Sequence, residues 1–488
     1  ESVALDAAAI EGGVPSRALM RAASYNAASV ICARFPDQLR RGATIVTGPG
    51  NNGGDGWAVA AALDSAGVSV QVREVVQART PDAIAERALA SRLMGSDPLS
   101  AGVIVDAMLG TGSTGDLRGV MLKTAHEIAS ARDRGATVVA LDLPSGVDAT
   151  SGAGKHSVIA DLTISFGSCK RGSLISRAAC GEVVVVDIGL GAQPEQLPLL
   201  VDAAFVRENV PHIAPDAHKG TRRSVAIVAG SDNMGGAAVM AATGALRSGV
   251  GLVQVITAAG NVAPMHTRIP EALVAPLQNA SATIQDWADA VLIGPGLATD
   301  DGTRDFIRGV LKDWRGPVVV DAGALTAYAD DMDALREVLR GRPAIITPHP
   351  GELARLIGRD VKYVLDNRFD IGVDISRKLD ACVLLKGTPT VVFGSDGTRY
   401  VIASGTAVLA TGGSGDALGG MVATLLAQGC APKIAAACAA WVHGRAAELT
   451  AGVRGHRLTD VLDHLPEAWS QSTTPMRYPV LASLPALS

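Results

Sequence analysis

Aromatic side chains make up only 3% of this 488-residue chain, so its core must be closed by small residues. Alanine, valine and glycine fill that role, and they suit close packing between helices and parallel strands. The six cysteines (Cys32, Cys169, Cys180, Cys382, Cys430, Cys438) include no CxxC pair. A metal cluster is therefore not expected, and buried free thiols in a reducing compartment are. No apolar run approaches about 20 residues, and the first residues lack the basic-then-apolar order of a secretory signal. A cytoplasmic protein without membrane contact is expected. Forty-three basic against forty-eight acidic residues leave a net charge of −5, which gives no electrostatic reason to expect nucleic acid as a partner. The phosphate-binding sequence GxxxxGK[ST] is missing as well, so any nucleotide must be held in another way.

Two glycine-rich segments, each with an aspartate, stand out against this background: GPGNNGGDG from Gly48 to Gly56 and TGGSGDALGG from Thr411 to Gly420. Both have the form of an anion-cradling turn, in which glycine lets the backbone approach a ligand and helix-start amides favour negative charge. An aspartate at such a turn points to chemistry or cation handling rather than plain phosphate binding. Two such segments suggest two active sites.

The length suggests two to four domains. Short β-branched runs alternate with alanine-rich amphipathic stretches, the pattern of βα units on a largely parallel sheet. Between Gly191 and about Ala217 the pattern lapses, and prolines at 194, 198, 211 and 215 punctuate the segment, as in an interdomain linker. The reading is a domain over residues 1–205, a linker over 206–216 and a second domain over 217–488, whose last thirty residues look like a peripheral tail. Thr390 to Ala403 reads as a hairpin with Ser395-Asp396-Gly397 as its turn. The halves share no motif, which speaks for fusion rather than duplication.

In the first half, three strand-like runs end in polar residues: the run before GPGNNGGDG, Val103–Asp106 before a Gly-Thr-Gly loop, and Val138–Asp142 before Leu143-Pro144-Ser145-Gly146. The carboxyl ends of parallel strands gather at one edge, where ligands bind. Asp106 and Asp142 are therefore expected to meet Asn51 and Asn52 in one crevice. Amide, carboxylate and hydroxyl oxygens suit a hard cation or a polar ligand, and a desolvated aspartate among them can act as acid or base. In the second half, Gly413–Gly415 can offer amides to a transferring phosphoryl group, and Asp416 can take the proton of an attacking hydroxyl. His349 and Glu352 in TPHPGE, Lys386 in LLKGT and the Gly294-Pro295-Gly296 turn follow further strands.

GPGNNGGDG, DAMLGTG and LDLPSGVDATSG, in this order and spacing, resemble the N-terminal epimerase domain of the NAD(P)H-hydrate repair enzymes over roughly residues 1–205. The resemblance implies that Asn51, Asn52, Gly53, Gly54 and Asp55, together with Gly110, Thr111, Gly112, Ser113, Thr114, Gly115 and Asp116, line a hydrated nicotinamide dinucleotide. It also implies that Asn52, Asp106 and Ser145 hold a potassium ion. Asp142 would contact the substrate and do the acid/base work at ring carbon six. HKG at 218–220, GPGL, TPHPGEL, LLKGTPTVV and TGGSGDALGG resemble the ADP-dependent NAD(P)H-hydrate dehydratases of the ribokinase-like superfamily over roughly residues 213–470. There Ala237, Gly296, His349 and Asp416 would contact substrate. Lys386, Gly387, Thr388, Pro389, Thr390 and Gly415 would contact ADP or ATP, with Mg²⁺ accompanying it, and Asp416 would be the catalytic base. Family members often carry DADAL where this chain has Asp321-Ala322-Gly323-Ala324-Leu325, so the second carboxylate is missing.

The expected fold is α/β in two domains, an N-terminal Rossmann-like doubly wound sheet and a C-terminal ribokinase-like α/β/α domain. The expected function is interconversion of the R and S epimers of NADHX and NADPHX, with ADP-dependent dehydration of the S form. A homo-oligomer is expected too. Two alternatives stay open: a small-molecule kinase (of hydroxymethylpyrimidine or a sugar) on the C-terminal fold, and a non-catalytic N-terminal scaffold like those of mRNA-decapping proteins.

Overall fold

A computed structural model describes residues 1–99, 102–191, 194, 196–470 and 476–487. The chain divides into two compact units, Glu1–Glu195 with Thr474–Leu487, and Gln196–Thr473. Among the described residues no helix is long and apolar enough to cross a membrane.

In the first unit the parallel strands are β1 (Ala43–Thr47), β2 (Val70–Glu74), β3 (Val103–Ala107), β4 (Thr137–Leu141), β5 (Leu162–Phe166) and β6 (Glu182–Val186). Every residue of β1 and β3 is buried, as a strand covered on both faces requires. The spatial order β6-β5-β4-β3-β1-β2 reverses at β1, so the β1/β3 junction is a switch point where a crevice opens. GPGNNGGDG is not a free loop. The helix Asn51–Ser65 starts inside it, and its glycines serve packing. A Cβ on Gly48 would lie 1.9 Å from the Met108 carbonyl oxygen, and one on Gly53 would lie 2.0 Å from that of Gly48.

The expected tail is corrected. Val480–Leu484 is a strand that pairs antiparallel with β6 and covers an otherwise open sheet edge. Flanking prolines and a short apolar run hid it from the sequence pattern. The compact units also part ahead of the expected linker, 206–216. The helix Ala203–Asn209 belongs to the second unit, and its N-cap Asp202 accepts a hydrogen bond from the Phe205 amide at 2.8 Å. Seven residues are too few for a helical period to show.

The second unit holds β7 (Leu199–Leu200), β8 (Ser224–Val228), β9 (Leu252–Thr257), β10 (Leu273–Pro276), β11 (Ala290–Ile293), β12 (Val318–Val320), β13 (Ala344–Ile346), β14 (Cys382–Leu385), β15 (Thr390–Phe393) and β16 (Arg399–Ile402). Their order is β10-β9-β8-β11-β12-β13-β14-β15-β16-β7, parallel except for the antiparallel β14-β15-β16 meander. β15 and β16 form the expected hairpin; β7 and β10 were not legible as strands. Helices Gly235–Arg247 and Ser414–Ala427 pack closely on each other and on this sheet. The contact is nearly backbone to backbone, because a Cβ on Gly420 would lie 1.9 Å from the Ala241 carbonyl oxygen and one on Gly244 would lie 2.1 Å from that of Ala417. Here the scarcity of aromatics has its structural counterpart. Gly420→Ala is expected to cost about 1–3 kcal/mol by overpacking, read as a lowered midpoint in urea unfolding. It should also weaken the second site, whose helix start it displaces.

Candidate active sites

At the carboxyl edge of the first sheet, Asp106, the penultimate residue of β3, is fully buried. One of its oxygens accepts from the Ser145 amide at 2.7 Å, and the other accepts from the Ser145 hydroxyl at 2.7 Å and the Met108 amide at 3.2 Å. Burial pushes its pKa up to about 6, and these hydrogen bonds hold it from rising further. Asn52 donates from Nδ2 to the Leu109 carbonyl at 2.9 Å, while its buried Oδ1 has no partner. The Ser145 hydroxyl also accepts from the Leu109 amide at 2.9 Å. Asn52, Asp106 and Ser145 thus converge on one turn. An orphaned amide oxygen beside a carboxylate and a hydroxyl is a donor set that suits a hard cation. The loop Gly110–Asp116 borders it: a Cβ on Gly110 would come within 3.2 Å of the Asn52 side chain. Thr111 and Ser113 are half-buried there, and Gly112, Thr114, Gly115 and Asp116 are exposed.

Asp142 follows β4 with φ of 64°, a left-handed conformation that costs an aspartate free energy and is concentrated at functional sites. Its Oδ1 forms an ion pair with Lys170 and accepts from the Phe166 amide at 3.3 Å. Lys170 is buried and also donates to the Phe166 carbonyl at 2.8 Å. Asp55, on the helix after β1, is buried too. Desolvation and then the charge of Asp142 hold its carboxyl well above the usual range, with a weak 3.5 Å bond from Ser24 opposing. Asn51 is exposed, whereas Gly53 and Gly54 are covered by protein. Lys170 escaped the sequence reading; its only signal is a polar residue shortly after a strand, the same signal that singled out Asp142.

In the second sheet, the ends of β12, β13 and β14 bring together Asp321, His349, Glu352 and Lys386, and helix Ser414–Ala427 adds Gly415 and Asp416. Lys386 Nζ lies 2.9 Å from Asp321 Oδ1 and 4.0 Å from Glu352 Oε2. Burial would lower the lysine pKa, but Asp321 and Glu352 outweigh it and keep the group charged. Buried Asp321 Oδ2 and Thr347 Oγ1 are unpartnered. A Cβ on Gly415 would sit 3.1 Å from Lys386 Nζ, so a side chain there would crowd the ammonium. Asp416 is pushed up to about 6 by desolvation, then by Asp321, with Lys386 opposing.

His349 is the N-cap of helix Pro350–Leu356. Its Nδ1 accepts from the Gly351 and Glu352 amides at 3.0 and 3.4 Å, and Glu352 Oε2 accepts from the His349 amide at 2.8 Å. With Nδ1 accepting, the ring proton lies on Nε2, which stands 3.6 Å from Glu352 Oε1 on a half-exposed side chain. In the Lys386–Thr390 turn, Thr390 Oγ1 accepts from the Gly387 amide at 3.2 Å and donates to its carbonyl at 3.0 Å. Gly387 and Thr388 are exposed and Pro389 is buried. Ala237, in the first turn of helix Gly235–Arg247, meets Gly296 in the turn after β11, where a Cβ on Gly296 would lie 2.9 Å from the Ala237 methyl.

Asp321 attracted no role in the sequence because its DADAL context is broken. Yet Ala322 beside it is held at φ 49°, and its amide donates to Asp321 Oδ1 at 2.8 Å. Asp321→Asn should let Asp416 ionise more easily. The acid limb of the pH profile of this site's reaction is then expected to move to lower pH, measured as kcat against pH; an unmoved limb would separate the two carboxylates.

A doubly wound unit and a ten-stranded unit, each with acid groups at the carboxyl edge of its sheet, define a two-site α/β enzyme. Residues 225–467 match the family model described as NAD(P)H-hydrate dehydratase, and residues 16–172 match that described as YjeF-related protein N-terminus. The chain is 35% identical over 498 residues to the bifunctional NAD(P)H-hydrate repair enzyme Nnr of Moorella thermoacetica, covering 93% of this chain and 92% of that one. It is 34% identical over 470 residues to the same-named enzyme of Escherichia coli K12, covering 92% and 88%. The second unit resembles the crystal structure of an ADP/ATP-dependent NAD(P)H-hydrate dehydratase from Bacillus subtilis, co-crystallised with ATP and Mg²⁺. The TM-score is 0.50 with 32% identity, over 56% of this chain and 98% of that one. The chain belongs to the family of bifunctional NAD(P)H-hydrate repair enzymes.

Proposed function

We propose that the two units divide one repair task. The first interconverts the R and S epimers of hydrated NADH and NADPH, and the second dehydrates the S epimer with ADP or ATP. The observation that carries this reading is the pair of separate acid centres, Asp142 with Lys170 and Asp416 with Asp321 and Lys386, each at the carboxyl edge of its own sheet. A kinase acting alone leaves the first centre unexplained. A non-catalytic scaffold leaves unexplained a buried aspartate–lysine pair on strained backbone.

In the second site, Asp416 takes the proton of the C6 hydroxyl as that oxygen attacks the terminal phosphorus of the nucleotide. The phosphorus–oxygen bond to the nucleotide breaks, and the amides of Gly413–Gly415 face the developing charge. The ring nitrogen lone pair then expels phosphate from C6, and loss of a proton from C5 restores the dihydropyridine. Lys386 is placed to neutralise phosphate oxygens, and the turn from Gly387 to Thr390 to hold the nucleotide. Mg²⁺, when bound with the nucleotide, would supply charge neutralisation on the phosphates. His349 Nε2–H, Ala237 and Gly296 would contact the hydrated dinucleotide.

In the first site, Asp142 handles the proton transfers that accompany inversion at ring carbon six, and Lys170 keeps it oriented. Asn51 to Asp55 and Gly110 to Asp116 would line the dinucleotide. Asn52, Asp106 and Ser145 would hold a potassium ion, whose charge would help to fix the substrate.

The test uses separated R and S epimers of NADHX with and without ADP and potassium. NADH should form from S in the presence of ADP alone, and from R only when the first site is active. A stable phosphoester with no NADH recovery would favour the kinase reading.

A further inference from the structure

Arg342, just ahead of β13, is a buried cation with no carboxylate beside it. The side chain is only 9% exposed. One terminal nitrogen donates to the Leu311 carbonyl at 3.0 Å, and the buried Nε has no partner. A guanidinium stays charged in a protein, and burying a charge without a counter-charge is costly. Burial first, and Arg315 second, pull its pKa down, as befits a cation among cations. Capping the end of helix Asp301–Leu311 accounts for the bond to Leu311. It leaves the charge uncompensated.

The guanidinium lines a cavity of about 520 Å³ together with Arg308, Lys312, Arg315, Arg340 and Glu337. Five positive side chains thus face one negative, in a chain whose net charge is −5. Arg308 is paired with Asp305 at 3.1 Å and Arg340 with Glu337 at 2.6 Å. Among the described residues Lys312, Arg315 and Arg342 form no ion pair, and Arg315 donates to the Lys312 and Trp314 carbonyls. Arg315 and Arg342 precede β12 and β13, whereas Asp321, His349 and Lys386 follow β12, β13 and β14. The cavity therefore lies at the opposite edge of the parallel sheet from the second candidate active site.

We propose that this cavity is an anion site for a diphosphate group, either free or carried by a nucleotide. Guanidinium forks match phosphate oxygens two at a time. Three cations are unpaired, so a singly charged carboxylate would leave two of them unmatched. A diphosphate offers several negative charges on adjacent groups, and it supplies the counter-charge that Arg342 lacks. The site is independent of which reaction the carboxyl edge of the sheet performs. All five cations come from two helix ends, where basic residues are ordinary, so nothing in the sequence distinguishes them.

The experiment titrates the unmodified full chain with sodium pyrophosphate, and separately with ADP, by isothermal calorimetry. Both titrations are repeated on the double variant Lys312→Glu/Arg315→Glu and on Arg342→Met. Pyrophosphate is expected to bind the unmodified chain saturably, and more weakly as salt is raised. The double variant should weaken that binding about tenfold. Its dehydration kcat and KM should stay unchanged, because the two exposed side chains stand at the far edge of the sheet. Pyrophosphate at about 100 times its Kd should raise the melting temperature of the unmodified chain by about 5 °C, and Arg342→Met should lose that rise. If a nucleotide carries the diphosphate, ADP shows a second binding event that the double variant lacks. If only free pyrophosphate fits, ADP binds once in both. Pyrophosphate binding of undiminished strength in the double variant overturns the proposal, since the anion then sits elsewhere. No binding to the unmodified chain overturns it too. So does an Arg342→Met variant that melts lower yet keeps the full pyrophosphate rise, because Arg342 would then be a helix cap alone.

Discussion

Asp416→Asn is expected to lower the kcat of nucleotide-dependent dehydration by about 10²–10⁴-fold, the range for removing a positioned general base, and to leave epimerisation intact. The reason is where the carboxylate lies. It sits in the first turn of helix Ser414–Ala427, beside the glycine amides that would face phosphoryl charge. Desolvation first, and Asp321 second, raise its pKa to about 6, with Lys386 pulling the other way. A base must be unprotonated to act, so a raised value places the loss of activity on the acid side. Dehydration should fall as pH drops through about 6 and level off above it, and this limb should vanish from the residual rate of Asp416→Asn. A variant with the unmodified rate and the same limb would place the base elsewhere. Parallel loss of both activities would point to a folding defect.

Asp142→Asn should have the second largest effect, on rate and stability together. Epimerisation is expected to fall by a similar factor, and the variant leaves the buried Lys170 without its carboxylate. Breaking a buried ion pair from one side costs about 3–5 kcal/mol, because the remaining charge stays desolvated. Lys170→Met added to Asp142→Asn should return much of that stability, since both charges are then gone, and none of the epimerisation. Urea unfolding of the single and double variants reads the first effect, and epimer interconversion followed by chromatography reads the second. If the single variant unfolds like the unmodified chain, the pair contributes orientation without a desolvation penalty. If it also interconverts the epimers at full rate, Asp142 has no part in the chemistry.

Much of the arrangement at the two sheet edges was legible in the chain itself. Asp106, Asp142, His349 and Lys386 stand just where β-branched runs stop, and a parallel sheet gathers such positions at one edge. The Ser395-Asp396-Gly397 turn correctly announced the β15–β16 hairpin. Less legible were elements whose definition is relational. Val480–Leu484 is a strand only because β6 offers it an open edge, and β10 and β7 likewise depend on their neighbours. The glycines of GPGNNGGDG read as a ligand cradle. Several of them are also required by close approach of helix to strand, as at Gly56, where a Cβ would lie 2.6 Å from the Ala107 methyl of β3.

Local order is written in the residues, since propensity, turn chemistry and apolar period act over a few positions. Those terms determined two α/β units, the alternation of strand and helix, and two sets of acids at strand ends. The tertiary structure decided the electrostatic partners. It set Lys170 against Asp142, bound Asp321 to Lys386, and made His349 a helix cap whose Nδ1 accepts from the Gly351 amide. Pairings between charges 28 or 65 positions apart depend on distance in space and on exclusion of water, and neither has a local signature. The two glycine-rich segments are alike in spelling and differ in use for the same reason. One is the buried start of a helix wedged against β3, and the other is a half-buried helix start that carries Asp416 beside Lys386.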